Sequence, residues 1–164
     1  MNQEILKAKQ DVVSEIVERA KVCQTIAVAE YRGLTVAQIE ELRRALRAEN
    51  CTMNIYKNSL VERAAKELGY DALNEILTGP NAIIFSEEVS NGAKVLVKYS
   101  KKYGGVLKIK GGIVGGTFAN DKQMIEVAKM PGREGLISML LSCLQAPVRQ
   151  FACAVKAVAD AKYA

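Results

Sequence analysis

The residues of this chain best suited to chemistry are its cations, and they gather where a strand-like segment runs into a helix-like one. In YRGLTVAQIEELRRALR, at 31–47, Arg32 stands beside a helix start marked by Thr35 and Gln38. Free amides at a helix N-terminus attract phosphate, an arginine can grip phosphate oxygens in bidentate fashion, and Gly33 lets a ligand approach the main chain closely. The segment IYKNSLVERAAK, at 55–66, repeats the design with Lys57, Asn58, Arg63 and Lys66. Either turn alone also suits an ordinary strand-to-helix connection. If the two strands are neighbours, both turns emerge at one edge as a basic surface that neutralises several phosphates.

Other motifs carry less. Val89–Asn120 holds six Lys and no acidic residue, with Lys94, Lys98, Lys101 and Lys102 on its helical part; such a run is first of all a solvated helix face. KIKGGIVGG, at 108–116, has neither the Gly-x-Gly-x-x-Gly spacing nor the Gly-Lys-Ser/Thr ending of a phosphate loop, so its glycines are expected to serve a bend or bulge in a strand. The chain has no His, which removes the commonest general base and the standard triads. Cys23, Cys51, Cys143 and Cys153 are far apart with no Cys-x-x-Cys pair. They read as small buried hydrophobes rather than zinc ligands. No enzyme activity, metal or cofactor is expected.

The elements that must position these residues follow from periodicity. Ile5, Val13, Ile16, Val17 and Ala20 share a face of a helix over 4–21, TIAVAE at 25–30 reads as a buried strand, and the Thr35/Gln38 capping box opens a helix over 36–48. TMNIYK at 52–57 alternates as a half-buried strand does, and Ser59 with Glu62 forms a second capping box for a helix ending near Leu68. After a helical piece at 71–77 and a Gly79-Pro80 turn, a strand is expected at 82–85, a helix at 92–103, a strand at 106–110 and a helix at 121–130. Helices alternating with strands favour a helix-covered sheet, and pattern alone leans toward a parallel one.

Beyond Pro131 and Gly132 the sequence is helical, and Pro147 predicts a hinge between an inner helix at 133–145 and an outer one at 148–162. Val148, Phe151, Ala152, Val155, Val158 and Ala159 form an apolar stripe on the outer helix. The stripe either folds back onto the core or docks in a partner's groove.

Composition sets the frame. The 164 residues are 49% apolar and 25% charged with net charge +5, an ordinary soluble globular profile compatible with an anionic partner. The mixed-charge start is no signal peptide, and no segment looks near the ~20 apolar residues that cross a bilayer. A cytoplasmic protein without membrane contact is expected.

Together YRGLTVAQIEELR, KNSLVERA, LTGPNAIIFS and the run from MPGREGLISMLLSCLQAP into a final helix resemble, nearly end to end, the bacterial large-subunit ribosomal protein ten, the stalk-base family related to protein P-zero. The resemblance implies an α+β fold: a ferredoxin-like helix-on-sheet domain, largely antiparallel, with a C-terminal helical extension. It divides the chain into an RNA-binding domain at 1–132, an inner helix and hinge at 133–146, and a stalk-binding helix at 147–164.

The family implies an adaptor that binds large-subunit ribosomal RNA beside ribosomal protein eleven and anchors dimers of the stalk protein. Those dimers serve translation GTPases, which the chain meets indirectly. Carried over, the RNA-facing residues are Arg32, Gly33, Leu34, Lys57, Asn58 and Arg63, with Lys9 and Gly79, and the stalk-facing ones lie on the Val148–Ala159 stripe. The tail after Pro147 has room for two stalk dimers, where longer-tailed relatives carry three. Repression of its own operon through leader RNA is also implied. One departure is Gly132-Arg133-Glu134-Gly135, where the family often has a Ser-x-x-Glu cap; the loss should weaken that first turn by roughly 1 kcal/mol. The rival reading, a DNA-binding regulator, lacks an evident helix-turn-helix pair.

Overall fold

In the computed structural model, which describes residues 3–163, the elements follow in the order α1 (Gln3–Val22), β1 (Thr25–Glu30), α2 (Val36–Ala48), β2 (Cys51–Asn54), α3 (Asn58–Leu68), a 3-10 turn (Asp71–Glu75), β3 (Asn81–Ser86), α4 (Asn91–Lys102), β4 (Lys108–Val114), β5 (Thr117–Asn120), α5 (Asp121–Lys129) and α6 (Arg133–Tyr163). The chain divides between Met130 and Pro131 into two compact units.

In the first unit the five strands lie in the order β2-β3-β1-β4-β5, and every adjacent pair is antiparallel. The parallel sheet that the alternating pattern favoured is therefore not formed. The crossover through α2 joins β1 to β2, and the crossover through α4 joins β3 to β4. Each skips one strand, so an antiparallel neighbour fills the gap: this is the split βαβ arrangement of ferredoxin-like domains.

Alternation along β1 explains the layering. Ala27 and Ala29 face a core with Leu42 and Leu46 of α2, Leu96 of α4 and Met124 of α5. Ile26 and Val28 face the opposite core, with Val13 and Ile16 of α1 and Val61, Ala64 and Ala65 of α3. The side chain of Ile5, expected on the same face of α1, lies outside the described residues. Successive strand residues point to opposite faces, so a sheet covered on both sides needs apolar residues at every position, and β3 is buried from end to end.

The glycines of β4 are needed for close approach. A Cβ on Gly112 would lie 2.2 Å from the Ile26 carbonyl oxygen. Opposite Lys110 the register of β1 and β4 shifts, between Val28 and Ala29, which is the bulge expected from KIKGG. Gly115 and Gly116, at φ +55° and +83°, make the tight turn into β5. That four-residue strand has no counterpart in the sequence reading.

Three further expectations are corrected. Ser59 does not cap α3: Lys57 is the N-cap residue, no side chain caps the helix, and Ser59 sits within its first turn. Of the cysteines, only Cys51 is buried; Cys23 is intermediate, and Cys143 and Cys153 are exposed. Burial raises the Cys51 and Cys23 thiols above their ordinary pKa.

In the second unit, α6 runs unbroken through Pro147, where two helices were expected. The proline removes one backbone hydrogen bond, but it sits among the good helix formers Leu144, Gln145, Ala146 and Arg149. At its start Leu136 N–H donates to Gly132 O at 2.9 Å. Gly135 has a structural purpose there: a Cβ would stand 2.6 Å from Pro131 Cβ.

Candidate nucleic-acid interface

Sheet register brings the predicted turns together. Glu30, the last residue of β1, lies opposite Asn81, the first of β3, and opposite Lys108, the first of β4. Asn54, the last of β2, lies opposite Ile83. Residues 31–35, 55–57, 78–80 and 103–107 therefore all emerge at one end of the sheet. β1 and β2 are not neighbours, since β3 separates them. They run in the same direction, and that suffices.

The first turn is held from within. Gly33 has φ +93°, and a Cβ there would sit 3.1 Å from Val106 Cγ1; glycine adopts that conformation without penalty and leaves room for the neighbouring loop. Leu34 N–H donates to Tyr31 O at 3.2 Å, and the half-buried Leu34 side chain packs on the α2 core. Leu34 thus anchors the turn, and the exposed Arg32 is its outward cation. Thr35 Oγ1 accepts from Gln38 N–H at 3.4 Å while Gln38 Oε1 accepts from Thr35 N–H at 2.9 Å, the expected reciprocal box.

The second turn is held from outside. Asn58 Nδ2 donates to Gly79 O at 2.9 Å, which ties the start of α3 to the Gly79-Pro80 turn. Lys110 Nζ reaches the neighbouring Thr78 O and pairs with Glu30 at 3.5 Å, both side chains mostly buried. Asn58, Gly79 and Lys110 are thus one positioning cluster, and Gly79 turns at φ +78°. No side chain caps α3, which starts beside the exposed Lys57. Among the described residues no carboxylate lies within ion-pair distance of Arg32, Lys57 or Lys108.

Lys9 and Arg63 come together on α1 and α3. They line an open groove between α1 and α3 with Leu6, Gln10, Val13, Ser14 and Glu67. Two residues at the sheet end were missed from sequence, Val106 and Lys110. The Lys-Ile-Lys alternation at 108–110 signals that both lysines share one strand face, but nothing local tells which carbonyl Lys110 will find.

On α6 the stripe residues Val148, Phe151, Val155 and Val158 are all exposed, Phe151 at 73%, as are Leu140 and Leu144. Ala152 and Ala159 are exposed beside them. Such a run of bare apolar side chains is what an interaction surface looks like.

Fold and site together define a class: a split βαβ domain with a basic end surface, joined to an apolar helix left open. Residues 4–101 match the family model for ribosomal protein L10, and residues 130–164 match that for the ribosomal protein uL10 C-terminal region. The large ribosomal subunit protein uL10 of Bacillus licheniformis is 46% identical over 96% of this chain and 95% of its own length. Its counterparts in two Bacillus cereus strains are likewise 46% identical, over 96% of this chain and 95% of theirs. The chain belongs to the L10 family of large-subunit ribosomal proteins. It is a structural ribosomal protein associated with ribosomal RNA, not an enzyme.

Family membership also bears on α6. By length and composition alone the helix is long and apolar enough to cross a membrane, which corrects the expectation that no segment approaches that limit. The whole helix lies inside the match to the ribosomal C-terminal region.

Proposed function

We propose that this chain is the base of the large-subunit stalk, holding ribosomal RNA at the end of its sheet and stalk-protein dimers on α6. The observation that carries the RNA half is the convergence of two strand-to-helix turns whose cations, Arg32 and Lys57, have no acidic partner among the described residues. The N-terminus of α3, which no side chain caps, adds its helix dipole. Gly33 and Gly79 hold the turns, and Leu34 and Asn58 position them, so the phosphate contacts fall to Arg32, Lys57 and that N-terminus. Arg63 and Lys9 supply a flanking pair on the α1–α3 groove.

The stalk half rests on the exposed stripe Val148, Phe151, Ala152, Val155, Val158 and Ala159, an amphipathic helix suited to groove docking. The working division is an RNA-binding domain at 1–132, an inner segment at 133–146 and a stalk-binding segment at 147–164, the last two running on within the continuous α6. The tail accommodates two dimers. Ribosomal protein eleven is the neighbour on the RNA, translation GTPases arrive through the stalk, and the same basic end would hold a leader RNA in autoregulation. The setting is the cytoplasm.

Two measurements test this. Arg32→Ala with Lys57→Ala should weaken binding to an RNA fragment of the GTPase-associated centre at least tenfold and flatten its salt dependence; unchanged binding defeats the RNA half. Truncation before Pro147 should abolish co-purification of stalk protein, and retained stalk protein defeats the other half. Native mass spectrometry of the full complex should count four stalk copies, and six would overturn the estimate of two dimers.

A further inference from the structure

The helical part of the lysine-rich stretch, Lys94 to Lys102 on α4, is not used by the surface described so far, yet it has a definite place in the fold. Lys94, Lys98, Lys101 and Lys102 line an open groove of about 670 Å³ with Val97 and Ala128, between α4 and α5, and no carboxylate lines it. Lys94, Lys98 and Lys101 recur at i, i+4 and i+7, one helix face. Lys102 is already engaged, since its Nζ bonds Glu41; among the described residues the other three have no ion pair.

The face leads toward the sheet end. Val97 and Lys101 also line an adjoining hollow with Gly105, Leu107, Lys108 and Asp121. Lys108 lies opposite Glu30 in the sheet, and Val106 of the same loop packs against Gly33. A line of unpaired cations therefore runs from Lys94 to Lys108 and meets the turn that carries Arg32. Favourable alignment with the α4 dipole explains lysines in the last turn, but Lys94 and Lys98 stand before it.

We propose that the α4–α5 groove is a second phosphate-binding face, continuous with the end surface, along which a further stretch of RNA backbone lies; it rests on the RNA reading above. Its cations are all lysines, compact point charges on flexible stems that suit phosphate oxygens. The groove thus contacts phosphates without regard to sequence. An acidic protein segment is the competing occupant, but continuity with the Arg32 turn favours RNA.

The test uses the full chain and an RNA fragment of the GTPase-associated centre, with affinity measured by anisotropy across a salt series and polyglutamate as an acidic-protein probe. Lys94→Gln, Lys98→Gln and Lys101→Gln together keep helix propensity, and circular dichroism should be unchanged. The triple variant should bind the RNA about ten- to a hundredfold more weakly and lower the salt slope by roughly two, since each neutralised phosphate contributes about 0.7–0.9. Full retention of affinity and slope by this variant, while Arg32→Ala with Lys57→Ala loses them, overturns the groove and leaves the end surface standing; polyglutamate binding lost under those conditions names an acidic protein instead. No RNA binding by the unmodified chain overturns both readings.

Discussion

The two units of this protein treat the same kind of residue in opposite ways. Leu96 of α4 is fully buried, whereas Leu144 of α6 is 71% exposed. In the first unit the two apolar faces of the sheet are both covered by helices, which gives a core on each side. The second unit is a single helix, and a single helix cannot bury its own stripe. On the adaptor reading proposed above, its apolar surface is stability deferred to another molecule.

The sharpest way to break this contrast is to make the same substitution on both sides. Leu96→Ala should cost about 2–5 kcal/mol, the transfer energy of the lost methyls plus the cavity left behind. Leu144→Ala should change stability by less than about 0.5 kcal/mol, since it uncovers nothing and alanine is the better helix former. Urea denaturation of the isolated chain measures both. A comparable loss for the two would mean that α6 is packed in solution, and the contrast would fall.

Capping gives a finer version within the first unit, and it shows how far sequence carries. Two capping boxes are legible as patterns, Thr35 with Gln38 and Ser59 with Glu62; only the first forms. Thr35 needs nothing beyond its own turn, whereas α3 is capped two residues earlier than expected, at Lys57, and its first residue Asn58 is tied to Gly79, far away in sequence. The same distinction explains the rest. Helix faces, the first strand and the Gly79-Pro80 turn are local and were read correctly. The antiparallel order was not legible in the pattern, because a crossover that skips a strand looks in sequence like one that does not; it was the family resemblance that implied it, and the sheet bears it out. Arg32 and Lys57 were visible as cations at helix starts, but Lys110 and Val106 act through partners that only the fold supplies. Thr35→Ala should cost about 1 kcal/mol, while Ser59→Ala should be neutral within a few tenths. An equal cost in thermal unfolding would restore the second box.

The smallest effect lies at the surface, where the first unit ties α2 to α4 and α6, a lone helix, has no second element to tie. Glu41 accepts from Tyr103 Oη at 2.9 Å and pairs with Lys102, whose ammonium lies 5.4 Å from the Tyr99 ring centre. The Lys102 bond, then the Tyr103 bond, hold the Glu41 carboxyl below the usual glutamate range. Burial, then the Glu41 contact, push the Tyr103 phenol up to about 12. The signs are opposite. For Glu41 the folded pKa lies below the unfolded one, so its contribution is present above the ordinary glutamate range and is lost as pH falls through the lowered value. For Tyr103 the folded pKa is the higher, so its contribution is intact below about 10 and is lost as pH rises toward about 12. In carbon-detected NMR the Glu41 carboxyl should titrate below the other glutamates, and Lys102→Gln should move it up toward them. Both ends of the pair are exposed and screened by salt, so the shift should shrink in 1 M salt while the buried contrast between Leu96 and Leu144 stays as large as before.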